Sequence, residues 1–158
     1  MTAGLSVSSE KTKDICNTGK HHVYYPENKG KNMIDSVISE ELRKRLGDHS
    51  QTADNEYLCK IHFDPAFRGF EGHFEGNPIV PGVCLIELAR VHAEQILNTA
   101  LRVTEISQCR FRNPILAGQS AECKLKIRQQ ADPAIMIQAE IRTDGNIACQ
   151  VRMKAVAA

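Results

Sequence analysis

The chain has 158 residues, 42% of them hydrophobic and 25% charged, which is enough for one globular domain with its own core. Its 20 Lys and Arg residues nearly balance its 19 Asp and Glu residues, so charge gives no reason to expect nucleic acid as the ligand. No segment approaches the roughly 18 consecutive apolar residues of a membrane span, and the N-terminus lacks the pattern of a secretory signal. We therefore expect a cytoplasmic protein without a membrane span.

The first third of the sequence divides into an arm and a helix. Residues 1–31 are polar and aperiodic, which predicts a flexible N-terminal arm. Residues 32–56 are expected to hold an amphipathic helix and a linker, because apolar residues recur at helical spacing from Ile34 to Leu46. Asp35 or Ser36 is available as its N-cap. The polar residues 47–55 are interpreted as the linker, and residues 57–158 as the main domain.

The main domain begins with a predicted strand at 57–63 and a Gly/Pro-rich loop at 64–80. A helix of about residues 82–98 should follow, with Pro81 at its first position, where a fixed φ and a missing N–H cost nothing. Glu87 is the only charged residue in an otherwise apolar stretch from residue 83 to 89. The pattern predicts a helix that is buried all round at this point, and a buried carboxylate needs a partner or a raised pKa.

The last third of the sequence alternates apolar and polar residues with a period of two. This pattern is typical of antiparallel strands that bury one face, and it predicts strands near residues 103–112, 121–128, 134–142 and 147–154. Residues 143–146 form a predicted hairpin turn, in which Gly145 supplies positive φ. The order of strand, long helix and four strands predicts an α+β domain in which a curved antiparallel sheet wraps a long central helix.

Cysteine and histidine spacing indicates no metal site and no disulfide scaffold. There is no C-x-x-C pair and no histidine cluster, and His62 and His92 are interpreted as surface or core residues. The six cysteines are regarded as mostly buried apolar residues: Cys16, Cys59, Cys84, Cys109, Cys123 and Cys149.

One histidine and one carboxylate stand out as an acid/base pair. His73 lies between Gly72 and Gly76 in the loop, and Glu87 follows on the helix. A neutral imidazole is suited to act as a base near neutral pH. Each residue alone has a simpler explanation: His73 as a loop residue that caps a carbonyl, and Glu87 as a buried partner of an arginine such as Arg90.

The stretch from Gly72 to Glu87, Gly-His-Phe-x-Gly-x-Pro-x-x-Pro-Gly-Val-x-x-x-Glu, resembles the signature of the hot-dog-fold β-hydroxyacyl-[acyl-carrier-protein] dehydratases. The resemblance continues through Arg110-Phe111-Arg112-Asn113-Pro114 and the closing hairpin, and it covers about residues 57–155. Two positions depart from the family pattern: Glu75 replaces a usual proline, and Val91 replaces a usual glutamine. These departures bear on substrate choice and activity rather than on the fold.

The resemblance implies an enzyme that removes water from a β-hydroxyacyl thioester to give the trans-2-enoyl thioester, without a metal or redox cofactor. The carrier would be acyl carrier protein or coenzyme A, and the pathway fatty acid, related lipid or polyketide synthesis. His73 would act as base, Glu87 would protonate or orient the hydroxyl, and the Gly82 amide would bind the thioester oxygen. The site would be shared between the subunits of a homodimer or higher homo-oligomer. Residues expected to contact the substrate are Phe70, Phe74, Pro81, Val83, Ile86 and Phe111.

Two other functions remain compatible with the same fold. A hot-dog thioesterase would activate water against the thioester carbonyl, and a non-catalytic hot-dog subunit would only bind acyl groups. The departures at Glu75 and Val91 favour this second alternative.

Overall fold

The structure, a computed structural model, describes residues 36–72 and 75–158, so the predicted arm at 1–31 lies outside it. Its first element is helix α1 (Val37–Arg45). The Ser36 side chain caps this helix by accepting a hydrogen bond from the backbone N–H of Ser39 at 3.2 Å. Leu42 is fully buried, and α1 packs against the long helix of the domain. The predicted amphipathic helix is therefore present, and it begins directly after the N-cap residue Ser36.

The predicted polar linker at 47–55 is partly wrong, because it contains strand β1 (Ser50–Ala53). This strand pairs with β2 (Glu56–His62) as an antiparallel hairpin, and Asn55 in the turn has a φ of 59°. All four residues of β1 are exposed. An edge strand that buries no side chain shows no apolar alternation, so the sequence pattern gave no sign of it.

A short 3-10 helix (Arg68–Phe70) interrupts the loop that leads to helix α2 (Gly82–Leu97). Pro81 is the N-cap residue of α2, one position earlier than the sequence indicated. At the other end, Asn98 closes the helix in the left-handed conformation with a φ of 49°. The long predicted helix is thus confirmed nearly to the residue.

Four further strands complete the sheet: β3 (Leu101–Phe111), β4 (Ser120–Gln129), β5 (Ile135–Thr143) and β6 (Asn146–Ala157). The six strands are antiparallel and follow the order β1-β2-β4-β5-β6-β3, so β1 and β3 are the edges. The tight turn between β5 and β6 has positive φ at Asp144, 48°, and Gly145, 78°. The predicted hairpin is confirmed.

Helix α2 lies against one face of this sheet and contacts β3, β4, β5 and β6. The apolar residues of β4 point toward the helix and the charged residues point away, as the period of two requires. Buried residues on this inner face of β4 are Ala121, Cys123, Leu125 and Ile127. The predicted α+β architecture is therefore the observed one. No helix in the described residues is long and apolar enough to cross a membrane.

The prediction that α2 is buried all round near Glu87 is wrong. Val83 is 71% exposed, and Ile86 and Glu87 are only half-buried. The sheet covers one side of α2, and α1 covers part of another. The side chains of the first turns that face neither element remain open, although they are as apolar as core residues.

Candidate active site

The predicted base, His73, and its neighbour Phe74 lie outside the described residues, so their roles remain predictions. The residues that flank them are described. Gly72 and Gly76 have φ values of 76° and 89°, and a Cβ on either glycine would meet no atom within 4 Å. These positive φ values favour glycine on conformational grounds alone, since space is not limiting.

Gly82 lies at the start of α2, where backbone N–H groups are left without helical acceptors. Pro81 supplies no side-chain cap, and the Gly82 N–H has no acceptor within 36–72 and 75–158. The ring of Phe111 packs directly against Gly82: a Cβ at this position would lie 2.6 Å from the Phe111 Cζ atom. The free amide and the positive end of the helix dipole therefore meet beside an aromatic side chain.

The Glu87 carboxylate has fixed hydrogen-bond partners on two helices. Arg90, one turn further along α2, donates from Nε to Oε2 at 3.0 Å and from Nη2 to Oε1 at 2.5 Å. The hydroxyl of Ser39, which is fully buried on α1, donates to Oε1. About 23% of the Glu87 side chain remains exposed. The carboxylate is thus oriented by both helices and still accessible from one side.

Of the two possibilities for a buried carboxylate at position 87, a partner or a raised pKa, the structure shows a partner. Burial raises this pKa, but the hydrogen bonds from Arg90 and Ser39 outweigh burial, and the pKa of Glu87 is lowered from its ordinary value. Glu87 is therefore an anion near neutral pH. An ionised carboxylate can accept a hydrogen bond from a hydroxyl or a water, but it has no proton to donate.

Arg90 is itself anchored in a buried polar network. It donates to Glu94 and, at 3.0 Å, to the carbonyl oxygen of Leu101. Glu94 accepts a hydrogen bond from the Leu101 N–H at 2.7 Å and another from Arg43 at 2.7 Å. Arg90 could be expected from the sequence as a partner of Glu87, whereas Ser39, Arg43 and Glu94 could not be identified in the same way. The spacing of Glu87, Arg90 and Glu94, at i, i+3 and i+7, was the available signal for the part on α2.

A cavity of about 210 Å³ opens beside this carboxylate, between the start of α1 and the first turns of α2. It is lined by Ser36, Ile38, Val83, Cys84 and Glu87. Burial and the neighbouring Glu87 raise the pKa of the Cys84 thiol to about 11, so this thiol is neutral and poorly nucleophilic. The cavity offers an apolar wall and one fixed anion.

The predicted substrate-contacting residues differ in their surroundings. Val83 lines the cavity, and the ring of Phe111, which is 54% exposed, packs against Gly82 at the start of the same helix. Pro81 is buried and Ile86 is half-buried against the core. Phe70 is 9% exposed and packs edge-on against Phe67, with ring centroids 5.4 Å apart.

The two departures from the family pattern lie in different surroundings. Val91 is fully buried on α2, and Glu75 is exposed in the loop before the helix. An apolar residue at position 91 suits its buried place in the core. A charge at position 75 is tolerated because it remains in water.

The basic residues of β4 are engaged on the outer face of the sheet. Lys124 and Lys126 each lie 2.9 Å from a carboxylate oxygen of Glu56 on β2. The two lysines lower the pKa of this carboxyl to about 2. These contacts make this side of the sheet a solvated face with paired charges.

A family model described as "ApeI-like: ApeI dehydratase" matches residues 49–151, which include most of the sheet and α2 with Gly82, Glu87 and Arg90. The chain belongs to the ApeI-like dehydratase family. This membership confirms the resemblance to hot-dog dehydratases and the prediction that the protein is a dehydratase.

Curated relatives of this ApeI-like chain agree with the family. A 3-hydroxyacyl-[acyl-carrier-protein] dehydratase FabZ from Campylobacter curvus is 26% identical over 137 residues, covering 78% of this chain and 85% of its own length. The FabZ of a Nitratiruptor species is 29% identical over 137 residues, which cover 78% of this chain and 85% of the relative.

Solved structures similar to the ApeI-like chain establish the hot-dog fold. The dehydratase heterocomplex ApeI:P from Xenorhabdus doucetiae contains a chain with a TM-score of 0.62 and 22% identity, covering 70% of this chain and 96% of that one. A hypothetical thioesterase with coenzyme A from Streptococcus pneumoniae has a TM-score of 0.56 at 9% identity, with coverages of 77% and 94%. At these identities the likeness concerns the fold alone.

Proposed function

We propose that this ApeI-like chain removes water from a 3-hydroxyacyl group held as a thioester and releases the trans-2-enoyl thioester. The observation that carries the proposal is the Glu87 carboxylate, which Arg90 and Ser39 hold as an oriented anion at the edge of the cavity. An anion in this position can accept a hydrogen bond from a substrate hydroxyl. The names of the FabZ relatives support the choice of a 3-hydroxyacyl substrate on acyl carrier protein, and coenzyme A is the other carrier that we propose.

In the proposed reaction, the thioester oxygen lies at the free N–H of Gly82, where the helix dipole stabilises the negative charge that develops on it. His73 removes a proton from the carbon next to the carbonyl. The electron pair of that C–H bond forms the new double bond, and the bond to the β-hydroxyl breaks. The hydroxyl oxygen takes the proton from His73 and leaves as water, while its own hydrogen points at the Glu87 carboxylate. The lowered pKa of Glu87 favours this orienting role over donation of a proton.

The second part of the proposal is that two copies of the chain share the site, with His73 of one subunit facing Glu87 of the other. Val83, Ile106 and Phe111 support it, because they are 71%, 46% and 54% exposed, respectively. Ile106 and Phe111 lie on β3, an edge strand whose described pairing is with β6 alone. Large apolar side chains on a sheet edge are typical of an interface with another chain.

The proposal also includes the pathway in which the enzyme acts and its location in the cell. Fatty acid, related lipid and polyketide synthesis all require the same removal of water, so we propose that the enzyme acts in one of these pathways. The cytoplasm remains the location predicted from the sequence.

A direct assay with two readouts tests the activity. The purified full-length protein is incubated with 3-hydroxyacyl thioesters of different chain length on acyl carrier protein and on coenzyme A. The ultraviolet absorbance of the enoyl thioester and the release of free thiol are followed in parallel. We expect enoyl product without free thiol. Free thiol without enoyl product would identify a thioesterase, and tight binding without either product would identify an acyl-binding subunit.

A further inference from the structure

The core contains a cluster of two cysteines and one histidine that the candidate active site does not use. Cys59 on β2 and Cys123 on β4 are directly opposite each other in the register of these two strands. His92 approaches them from α2, five positions after Glu87. The two sulfur atoms and one imidazole nitrogen all lie within 4.8 Å of one another. Three separate elements of the fold therefore converge on one point.

His92 is the unexplained member of this cluster. It is fully buried, yet within residues 36–72 and 75–158 neither of its ring nitrogens has a hydrogen-bond partner with normal geometry. A buried polar group without a partner is costly, and such groups are rare in folded proteins. A disulfide between Cys59 and Cys123 would leave both ring nitrogens unsatisfied. A metal ion bound by all three side chains would satisfy one of them directly.

Cys59 and Cys123 are 1% and 0% exposed, so the space between the three side chains is shielded from bulk water. A thiolate is the form of cysteine that binds metals, and a metal ion placed here would balance its charge inside the core.

We propose that Cys59, Cys123 and His92 form a binding site for a zinc ion. Two cysteine sulfurs and one imidazole nitrogen are a donor set that zinc prefers, at distances of about 2.3 Å to sulfur and 2.0 Å to nitrogen. Tetrahedral geometry places such donors roughly 3.3–3.8 Å apart, so the cluster needs to contract only slightly. Binding displaces the protons of the two thiols, and no atom changes its oxidation state.

The ring of His49 lies next to that of His92, with centroids 6.2 Å apart, and His49 is exposed to solvent. Zinc in proteins usually has four ligands, so a water molecule or a further side chain would complete the set.

A zinc ion in this place would join strands β2 and β4 to the middle of α2. Its role would be structural, because it would lie inside the core and none of its three protein ligands lines the cavity beside Glu87. The site does not depend on the proposed dehydration. Its tests measure metal content and stability, so their outcome is independent of whether the activity is found.

The first experiment uses the full-length protein, purified under reducing conditions and without chelators. Metal content is measured by mass spectrometry, and the chelated protein is then titrated with Co²⁺ and Zn²⁺. We expect one equivalent of metal per chain, a thiolate-to-cobalt charge-transfer band with visible bands of tetrahedral cobalt, and a higher unfolding temperature with Zn²⁺. A wild-type protein that binds neither ion with these signatures would overturn the proposal. A Cys59–Cys123 disulfide in the reduced preparation would overturn it as well.

Substitutions locate the ion. Cys59→Ala and Cys123→Ala should each abolish the charge-transfer band and the stabilisation by Zn²⁺. The control is Cys149→Ala, which removes another buried cysteine of the same sheet that lies outside the cluster. This variant should bind one equivalent with the wild-type spectrum. Loss of the band in Cys149→Ala, or its survival in both cluster variants, would contradict the assignment.

Discussion

Arg90 holds both carboxylate oxygens of Glu87 from one turn further along the same helix. Its Nε and Nη2 atoms lie 3.0 and 2.5 Å from the two oxygens, and the guanidinium is 95% buried, since only 5% of the side chain is exposed. Such a two-point contact fixes the plane of the carboxylate as well as its position. Ser39 adds a third hydrogen bond from a different helix. The anion is therefore oriented before any substrate arrives.

Replacing the carboxylate tests whether this anion takes part in the reaction. We expect Glu87→Gln to lower kcat/KM by about a hundredfold, the order of effect of a positioned group in proton transfer. The loss arises because the neutral amide is a weaker acceptor for the β-hydroxyl and can place its NH₂ group toward Arg90. Formation of the enoyl thioester provides the measurement.

The matched control is Glu122→Gln, which removes an exposed carboxylate on β4 and should leave kcat/KM unchanged. Circular dichroism and urea unfolding check that both variants are folded. If Glu87→Gln retained more than half of the wild-type kcat/KM, Glu87 would not act in the reaction.

The hydroxyl of Ser39 provides a test of the pH dependence. Its hydrogen bond lowers the pKa of Glu87, so the Ser39→Ala variant should have a higher Glu87 pKa. If the ionised carboxylate is the active form, activity is lost as the pH falls through this pKa. Protonation of the proposed base His73 contributes to the acidic limb of the kcat/KM profile at higher pH, so the part that should move to higher pH in Ser39→Ala is the more acidic part of this limb.

Ser107→Ala, an exposed serine on β3, is the control for this pH experiment and should keep the wild-type profile. If protonated Glu87 were the active form, activity would be lost as the pH rises through its pKa, so the basic limb rather than the acidic limb would move to higher pH in Ser39→Ala. If the acidic limb of the kcat/KM profile is unchanged in Ser39→Ala, this limb reports the titration of a group other than Glu87.

The sequence predicted the parts of the fold that local physics determines. Pro81 marked the beginning of α2 within one residue, and the alternation around Cys123 placed β4 with its correct inner face. The sequence did not predict the environment of residues that is set by segments distant in the chain. The exposed edge strand β1 has no apolar face, and Val83 is as apolar as a core residue although the fold leaves it open.

The same limit applies to the candidate site. The motif singled out Gly82 and Glu87, and the spacing to Arg90 suggested a partner for the carboxylate. The contact with Ser39 depends on how α1 packs on α2, which no local pattern encodes. That contact helps to lower the pKa of Glu87. The convergence of Cys59, Cys123 and His92 likewise depends on strand register and helix packing, and their separation in sequence concealed it.

The close packing of Phe111 on Gly82 leads to a test by double substitution. The Cβ of Gly82→Ala would lie 2.6 Å from the ring, which has to move away, and Phe111 is exposed enough to do so. We expect little loss of stability, because alanine favours a helix over glycine by up to about 1 kcal/mol. Activity should fall by about tenfold, about 1.4 kcal/mol, since the displaced ring disturbs the space in front of the Gly82 amide.

A thermodynamic cycle separates this effect from a direct role of Phe111. Phe111→Leu removes the atoms that the new Cβ would meet, so adding Gly82→Ala to Phe111→Leu should cost much less activity than adding it to the wild type. If Gly82→Ala costs the same activity in the wild type and in Phe111→Leu, displacement of the Phe111 ring is not the cause of the loss.

The exposed side chain of Ile106 tests whether a second copy of the chain covers the edge strand β3. We expect the wild-type protein to have the mass of a dimer in light scattering and Ile106→Lys to shift it toward the monomer, because the substitution places a charge in an apolar interface. Kcat/KM should fall with the dimer fraction and recover in part at higher protein concentration. The control is Thr52→Lys on β1, the exposed edge at the other side of the sheet, which should remain dimeric and active. A wild-type monomer with full activity, or a fully active monomeric Ile106→Lys variant, would show that one chain contains the complete site.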